Sequence, residues 1–209
     1  MAMARENGGS SPIPLDMENA IAGGDMGAAD YVVPGVLCLV LFILSGIFTS
    51  SLLASSSAAP NAGGLAALAV AVLAQLALLS GVTVPLFGMR LTGHWGFAFA
   101  LMALVPLTGV ALGALAGVLK RVRAHAPPAA PLFSLSIFFS GAVLPLEALP
   151  GWLRPLAWVM PPYWAATPAR DLMYREASLG RILVPAVALL GFCILGFAGA
   201  HLLMKKPQP

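Results

Sequence analysis

Histidine and cysteine are the residue types here that most often carry catalysis or bind metals. His94, His125 and His201 lie far apart, and neither a phosphate-binding loop nor a nucleophile–base motif accompanies them. Cys38 and Cys193 lie within apolar runs and are too few for a disulfide framework or a zinc site. We therefore expect no catalytic site, no metal site and no cofactor. We interpret the histidines as solvated or interfacial and the cysteines as packing residues.

The composition indicates which solvent surrounds the chain. Of its 209 residues, 59% are hydrophobic and only 9% are charged, and the mean hydropathy is +0.91. A soluble domain carries about 25% charged residues, because its surface faces water. The net charge of +3 is too small to suggest binding to nucleic acid. The composition therefore predicts an integral membrane protein in contact with membrane lipids.

Long uncharged runs predict the elements that cross the membrane. A transmembrane helix needs roughly 20 apolar residues, and we predict an all-α, polytopic fold with about five such spans, at 31–53, 65–87, 95–119, 129–146 and 182–204. The fourth run is the shortest. Residues 1–30 are polar and acidic and are interpreted as a flexible tail, which leaves 31–206 as the transmembrane domain. Asp, Glu, Lys and Arg are absent from the interior of all five runs, which argues against a proton- or ion-coupled carrier.

Three glycines of the third predicted span recur at intervals of four residues. Gly109, Gly113 and Gly117 would lie on one face of a helix, where a second backbone can approach closely. We predict that this face packs against another helix. The spacing does not distinguish a helix of the same chain from one of a second chain.

The segment 147–181, between the last two spans, differs in composition from the rest. It combines prolines and several charges with aromatic residues, namely Trp152, Trp158, Tyr163, Trp164 and Tyr174. Trp and Tyr favour the headgroup layer of a membrane. Two interpretations stay open: an aromatic belt on a long loop, or short helices that lie in the outer interface or dip into it as re-entrant helices.

Part of this region resembles a known family. The sequence FFSGAVLPLEALPGWLRPL at 138–156 is similar to the signature of ABC-2 type transporter permeases, the type-2 ABC exporters. In that signature a span ends in Ser-Gly, and a Pro-x-Trp-Leu element then leads into an outer re-entrant helix. The residues that carry this likeness here, including a later Pro–aromatic turn and an Arg–aliphatic helix, are Gly141, Pro145, Pro150, Trp152, Leu153, Pro161 and Arg170. The sequence YVVPG at 31–35 resembles the entry to a span of the same family.

The resemblance implies a permease subunit of the cell membrane. Such a subunit pairs with a second permease chain and with an ATP-binding-cassette ATPase, which would carry out any ATP hydrolysis, and exports a drug, a lipid or a polysaccharide. Its C-terminus would lie in the cytoplasm. We expect the family's first span and its charged coupling helix to be missing, because 1–30 is polar and 55–64 is uncharged. The alternative is a membrane partner that keeps the permease fold without transporting.

Arg170 is the charged residue on which we expect function to depend. We expect its guanidinium to pair with an acidic residue such as Glu147 or to meet an anionic headgroup. The alternative is a solvated arginine at the interface, because exposed ion pairs are often weak.

Overall fold

The computed structural model describes most of the predicted transmembrane domain. It describes residues 28–55, 94–123, 125–126, 129–143, 149–174 and 180–205, with residues 70, 72–75, 77, 81 and 146 between them. The regular secondary structure of these residues is helical throughout, so the predicted all-α class is confirmed. The predicted tail at 1–30, except for residues 28–30, lies outside the described residues.

Three long apolar helices form the frame of the molecule. They are α1 (Ala28–Ser55), α2 (Trp95–Val122) and α6 (Gly180–Lys205). At 1.5 Å per residue each is about 40 Å long, which exceeds the roughly 30 Å of a bilayer core. Each contains an uncharged or nearly uncharged stretch that is long and apolar enough to cross a membrane. The count of five spans stays a prediction, because most of 65–87 lies outside the described residues.

The three long helices run parallel to one another. Along α2, Gly109 lies against Ser45 of α1 and Gly117 lies against Ser50, so the two helices run in the same direction. Ala111 and Leu115 of α2 likewise meet Gly196 and Gly199 of α6 in the same order. All three helices therefore start at one end of the bundle, here called the amino end. All three helices end at the opposite end of the bundle, which we call the lysine end after Lys120 and Lys205.

The fourth predicted span is a broken helix rather than one continuous helix to residue 146. Two short helices, α3 (Ala129–Ser134) and α4 (Ser136–Phe139), are followed by Gly141 with φ +66°. This run passes along α1 in the opposite direction, from the level of Ser51 to that of Gly35. The distance is about 24 Å at the rise of an α-helix. The helix ends early because Gly141 adopts the left-handed conformation that stops a helix.

After Gly141 the chain turns back into the bundle, and we call residues 149–174 the re-entrant segment because they return to the bundle before the last long helix. A 3-10 helix (Arg154–Val159) leads to Met160, whose sulfur lies 3.5 Å from the hydroxyl of Ser136. Helix α5 (Tyr163–Tyr174) then returns to the amino end, where Leu172 accepts a hydrogen bond of 2.8 Å from the backbone N–H of His94. The prediction of short helices before the last span is therefore confirmed for this part of the chain.

Helix α5 fills the space between α1 and α2 at the amino end. Three alanines, Ala165, Ala166 and Ala169, are completely buried and belong to the main core cluster of the bundle. Their small side chains let α5 approach closely, as small residues do between membrane helices. Helices α1 and α2 contribute larger side chains to the same cluster, such as those of Leu41 and Met102.

Candidate functional site

Two of the predicted site residues, Arg170 and Gly141, meet although 29 positions separate them. The Nη2 atom of Arg170 donates hydrogen bonds to the carbonyl oxygens of Gly141 at 3.2 Å and of Ala142 at 2.8 Å. The arginine lies on α5, and both carbonyls belong to the turn that follows α4. This contact ties the re-entrant segment to the end of the fourth run, and we call these three residues the arginine clasp.

The arginine of the clasp is buried, with only 4% of its surface exposed. This burial differs from the alternative of a solvated arginine at the interface, and the partners of Arg170 include two backbone carbonyls. Glu147, the acidic partner suggested by the sequence, lies outside the described residues. A buried guanidinium is tolerated only when its donors find acceptors. Carbonyls beyond a helix end have no partner in the helix and are therefore available to it.

The clasp also explains a glycine that the sequence analysis did not single out as a site residue. A Cβ atom added to Gly35 of α1 would overlap both the carbonyl oxygen of Ala142 and the Nη2 atom of Arg170. Only a hydrogen atom fits there, so α1 forms the third wall of the clasp. The sequence YVVPG at 31–35 contains this glycine and resembles the family, but nothing in that sequence indicates which side chain faces the glycine.

The other predicted residues of the family signature lie apart from the clasp. Pro150 and Trp152 are exposed, with Trp152 at 79%, and Leu153 is half-buried. Pro161 is buried and lines a cavity beneath the re-entrant segment. Pro145 lies outside the described residues. The structure therefore brings together Gly141 and Arg170 and separates them from the Pro-x-Trp-Leu element.

The three glycines of α2 lie against α1 of the same chain. A Cβ atom on Gly113 would meet the backbone of Gly46, and one on Gly117 would meet the backbone of Ser50. The two helices therefore touch backbone to backbone along this face. Two buried hydroxyls of α1 are satisfied within the helix, because Ser45 donates to Leu41 at 2.6 Å and Thr49 donates to Ser45 at 2.7 Å. They need no partner from α2.

The two ends of the bundle carry their charges differently. The lysine end bears exposed cations, namely Lys120, Arg121, Arg123 and Lys205. At the amino end, Arg181 at the start of α6 lies 3.7 Å from the carboxylate of Asp171. Among the residues that the structure describes, no three His, Cys, Asp or Glu side chains are grouped so as to hold a metal ion.

The fold and the clasp define a helical membrane protein with a re-entrant segment before its last helix. A family model described as ABC-2 family transporter protein matches residues 61–202, which is more than half of the chain. The chain therefore belongs to the ABC-2 transporter family, and the resemblance found in the sequence is confirmed. Membership supports a permease-type transport role rather than that of an enzyme. Neither a curated protein nor a solved structure gives a significant match.

Proposed function

We propose that this chain is the membrane-spanning permease subunit of an ATP-binding-cassette exporter. The observation that carries the proposal is the family match over 61–202, which includes α2, the broken fourth run, the re-entrant segment and most of α6. A second permease chain would complete the pathway, and a separate ATPase would supply the energy. The substrate would be a drug, a lipid or a polysaccharide, as the family resemblance suggests.

The proposed orientation places the lysine end in the cytoplasm of a cell membrane. The basic cluster Lys120, Arg121 and Arg123 lies at the C-terminal end of α2, and cytoplasmic ends of spans carry an excess of such residues. The amino end, with the clasp and the re-entrant segment, would then face outward. There the segment would cap the transport pathway and leave an exit toward the outer leaflet.

Co-purification tests whether an ATPase works with this chain. The full chain, carrying an affinity tag, is extracted in mild detergent from its own cells, and the bound proteins are identified by mass spectrometry. We expect an ATP-binding-cassette ATPase in near-equal amount. A variant with Gln at 120, 121 and 123 should lose ATPase if docking occurs at the lysine end, whereas Arg154→Gln at the re-entrant segment should keep it.

The result also separates the proposal from its alternative. The segment at 55–64 is uncharged, and this feature favours a membrane partner that keeps the permease fold without coupling. Complete absence of an ATPase from repeated preparations would contradict the exporter proposal and support that alternative.

A further inference from the structure

Two adjoining cavities lie toward the lysine end of the bundle. The smaller, of about 190 Å³, lies between the C-terminal parts of α1 and α2 and the start of α3. The larger, of about 330 Å³, continues along α2 toward the middle of the bundle. Ala116 lines both cavities, so the two cavities adjoin at this residue.

The smaller cavity presents polar groups and one cation. Lys120 lines it from the last turn of α2, and Ser50 and Ser51 line it from α1. Lys120 is exposed, so its ammonium group can meet a ligand at the membrane surface. The C-terminus of a helix carries about half a negative charge. The neighbouring Arg121 and Arg123 add two cations to Lys120, which leaves this end positive overall.

The larger cavity is apolar along its length. Leu112, Leu115 and Leu119 form its wall on α2. Phe42 and Phe133 also line it, and their rings are tilted against each other with centroids 5.0 Å apart. Leu112 lies eight residues before Lys120, which corresponds to about 12 Å of helix. The leucines are half-buried rather than enclosed. The cavity is therefore an apolar groove that extends along α2 as far as Leu119, the residue before Lys120, and opens to the surroundings of the bundle.

We propose that these two adjoining cavities together bind one anionic phospholipid from the surrounding leaflet. The phosphate of the headgroup would lie at Lys120, and one acyl chain would lie in the leucine groove. The hydroxyl of Ser50 donates to the carbonyl oxygen of Ile47 at 2.9 Å, so the proposed contact with the phosphate rests on Lys120. Charge complementarity selects this occupant, because a cation at the membrane surface attracts anionic lipid. A second protein chain would fill the apolar groove without needing the cation, and a free anion would need the cation without the groove. The site would hold the lipid as a resident ligand and not as transported substrate.

The test measures how strongly the purified full chain binds phosphatidylglycerol. The chain is placed in phosphatidylcholine nanodiscs with increasing phosphatidylglycerol, and the bound fraction is read by native mass spectrometry. Lys120→Gln should weaken binding about fivefold, because one cation at an anionic surface is worth about 1 kcal/mol. Lys205→Gln, at the same end but not lining either cavity, should change it less than twofold.

A second pair of variants tests the groove. Ala116→Phe places a ring where the two cavities meet and should also abolish most of the specific binding. Ala198→Phe makes the same change at an exposed position of α6 and should leave binding unchanged. Each variant is first shown to unfold at the wild-type temperature in phosphatidylcholine alone. If Ala116→Phe does not fold, the comparison of Lys120→Gln with Lys205→Gln tests the proposal.

Three outcomes would overturn the proposal. Equal weakening by Lys120→Gln and Lys205→Gln would mean that the lipid is attracted by the general charge of this end. Competition by millimolar inorganic phosphate as effective as that by phosphatidylglycerol would mean a free-anion site. A dimer peak that excludes lipid from the wild-type chain would mean that a second copy occupies the groove.

Discussion

The amino end and the lysine end of the bundle use positive charge in opposite ways. At the amino end the guanidinium of Arg170 is buried and bonded to two carbonyls of the same chain. At the lysine end Lys120 is exposed and lines the smaller of the two cavities. The charge of Arg170 therefore joins parts of the same chain, whereas the charge of Lys120 lies at the surface of the bundle.

The two ends differ in packing because helix α5 lies between α1 and α2 at the amino end. Gly109, Gly113 and Gly117 keep α1 and α2 in close contact along much of their shared length. Helix α5 then fills the amino end with three buried alanines. At the lysine end the described residues provide the much shorter helix α3, whose start lines the smaller cavity. Substitutions should therefore destabilise the protein at the glycine face and the clasp, and should be tolerated at the lysine end.

The largest loss should come from Gly113→Leu at the contact between α1 and α2. A branched side chain there would push against the backbone of Gly46, which cannot move aside as a side chain can. We expect a loss of about 4 kcal/mol in the free energy of unfolding, at the upper end for overpacking. Yield after detergent extraction and the midpoint of thermal unfolding would measure it.

Two variants serve as controls for Gly113→Leu. A Cβ atom on Gly191 of α6 would meet nothing within 4 Å, so Gly191→Leu should be neutral. Leu112→Phe, at the neighbouring position facing the groove, should cost much less than the change at Gly113. Similar losses in all three variants would show that the glycine face is not a close contact.

Arg170→Met should give the next largest loss. It removes the donor from two buried carbonyls, and each unsatisfied group costs about 1–3 kcal/mol. We expect a loss of about 3 kcal/mol in total once partial rearrangement is allowed. Arg170→Lys should lose about half of that, because it keeps the charge but not the planar guanidinium group. Chemical unfolding in detergent would measure it, with the exposed Arg154→Met as the matched control. Equal losses of unfolding free energy in Arg170→Met and Arg154→Met would show that the clasp does not stabilise the fold.

The smallest effect should be seen at the lysine end. Lys120→Gln and Lys205→Gln should each change the free energy of unfolding by less than about 0.5 kcal/mol in neutral detergent, as is usual for exposed positions. Thermal unfolding of the two variants beside the wild type would check this. If Lys120→Gln lowered the free energy of unfolding as much as Arg170→Met, the two ends would not differ in how charge contributes to stability.

The sequence predicted features that depend on local patterns and missed those that depend on distant contacts. The glycine spacing at Gly109, Gly113 and Gly117 predicted a helix-packing face, because residues four apart share one side of a helix. The same pattern could not name α1 as the neighbour. The burial of Arg170 was missed, since its acceptors lie 28 and 29 positions away and become available only where the fourth run ends. That early end depends on Gly141, whose left-handed backbone a hydropathy pattern does not reveal.

Cysteine accessibility along 149–172 tests the central claim, that a re-entrant segment is held in the amino end by Arg170. Single cysteines would be placed in a chain whose Cys38 and Cys193 are replaced by alanine, and their reaction with a membrane-impermeant maleimide would be timed. We predict protection at positions 166 and 169 and rapid labelling at 152 and 167, where Trp152 and Thr167 are exposed. Adding Arg170→Met should raise the rate at 166 and 169 at least tenfold. Uniform rapid labelling of all four positions in the presence of Arg170 would contradict the claim.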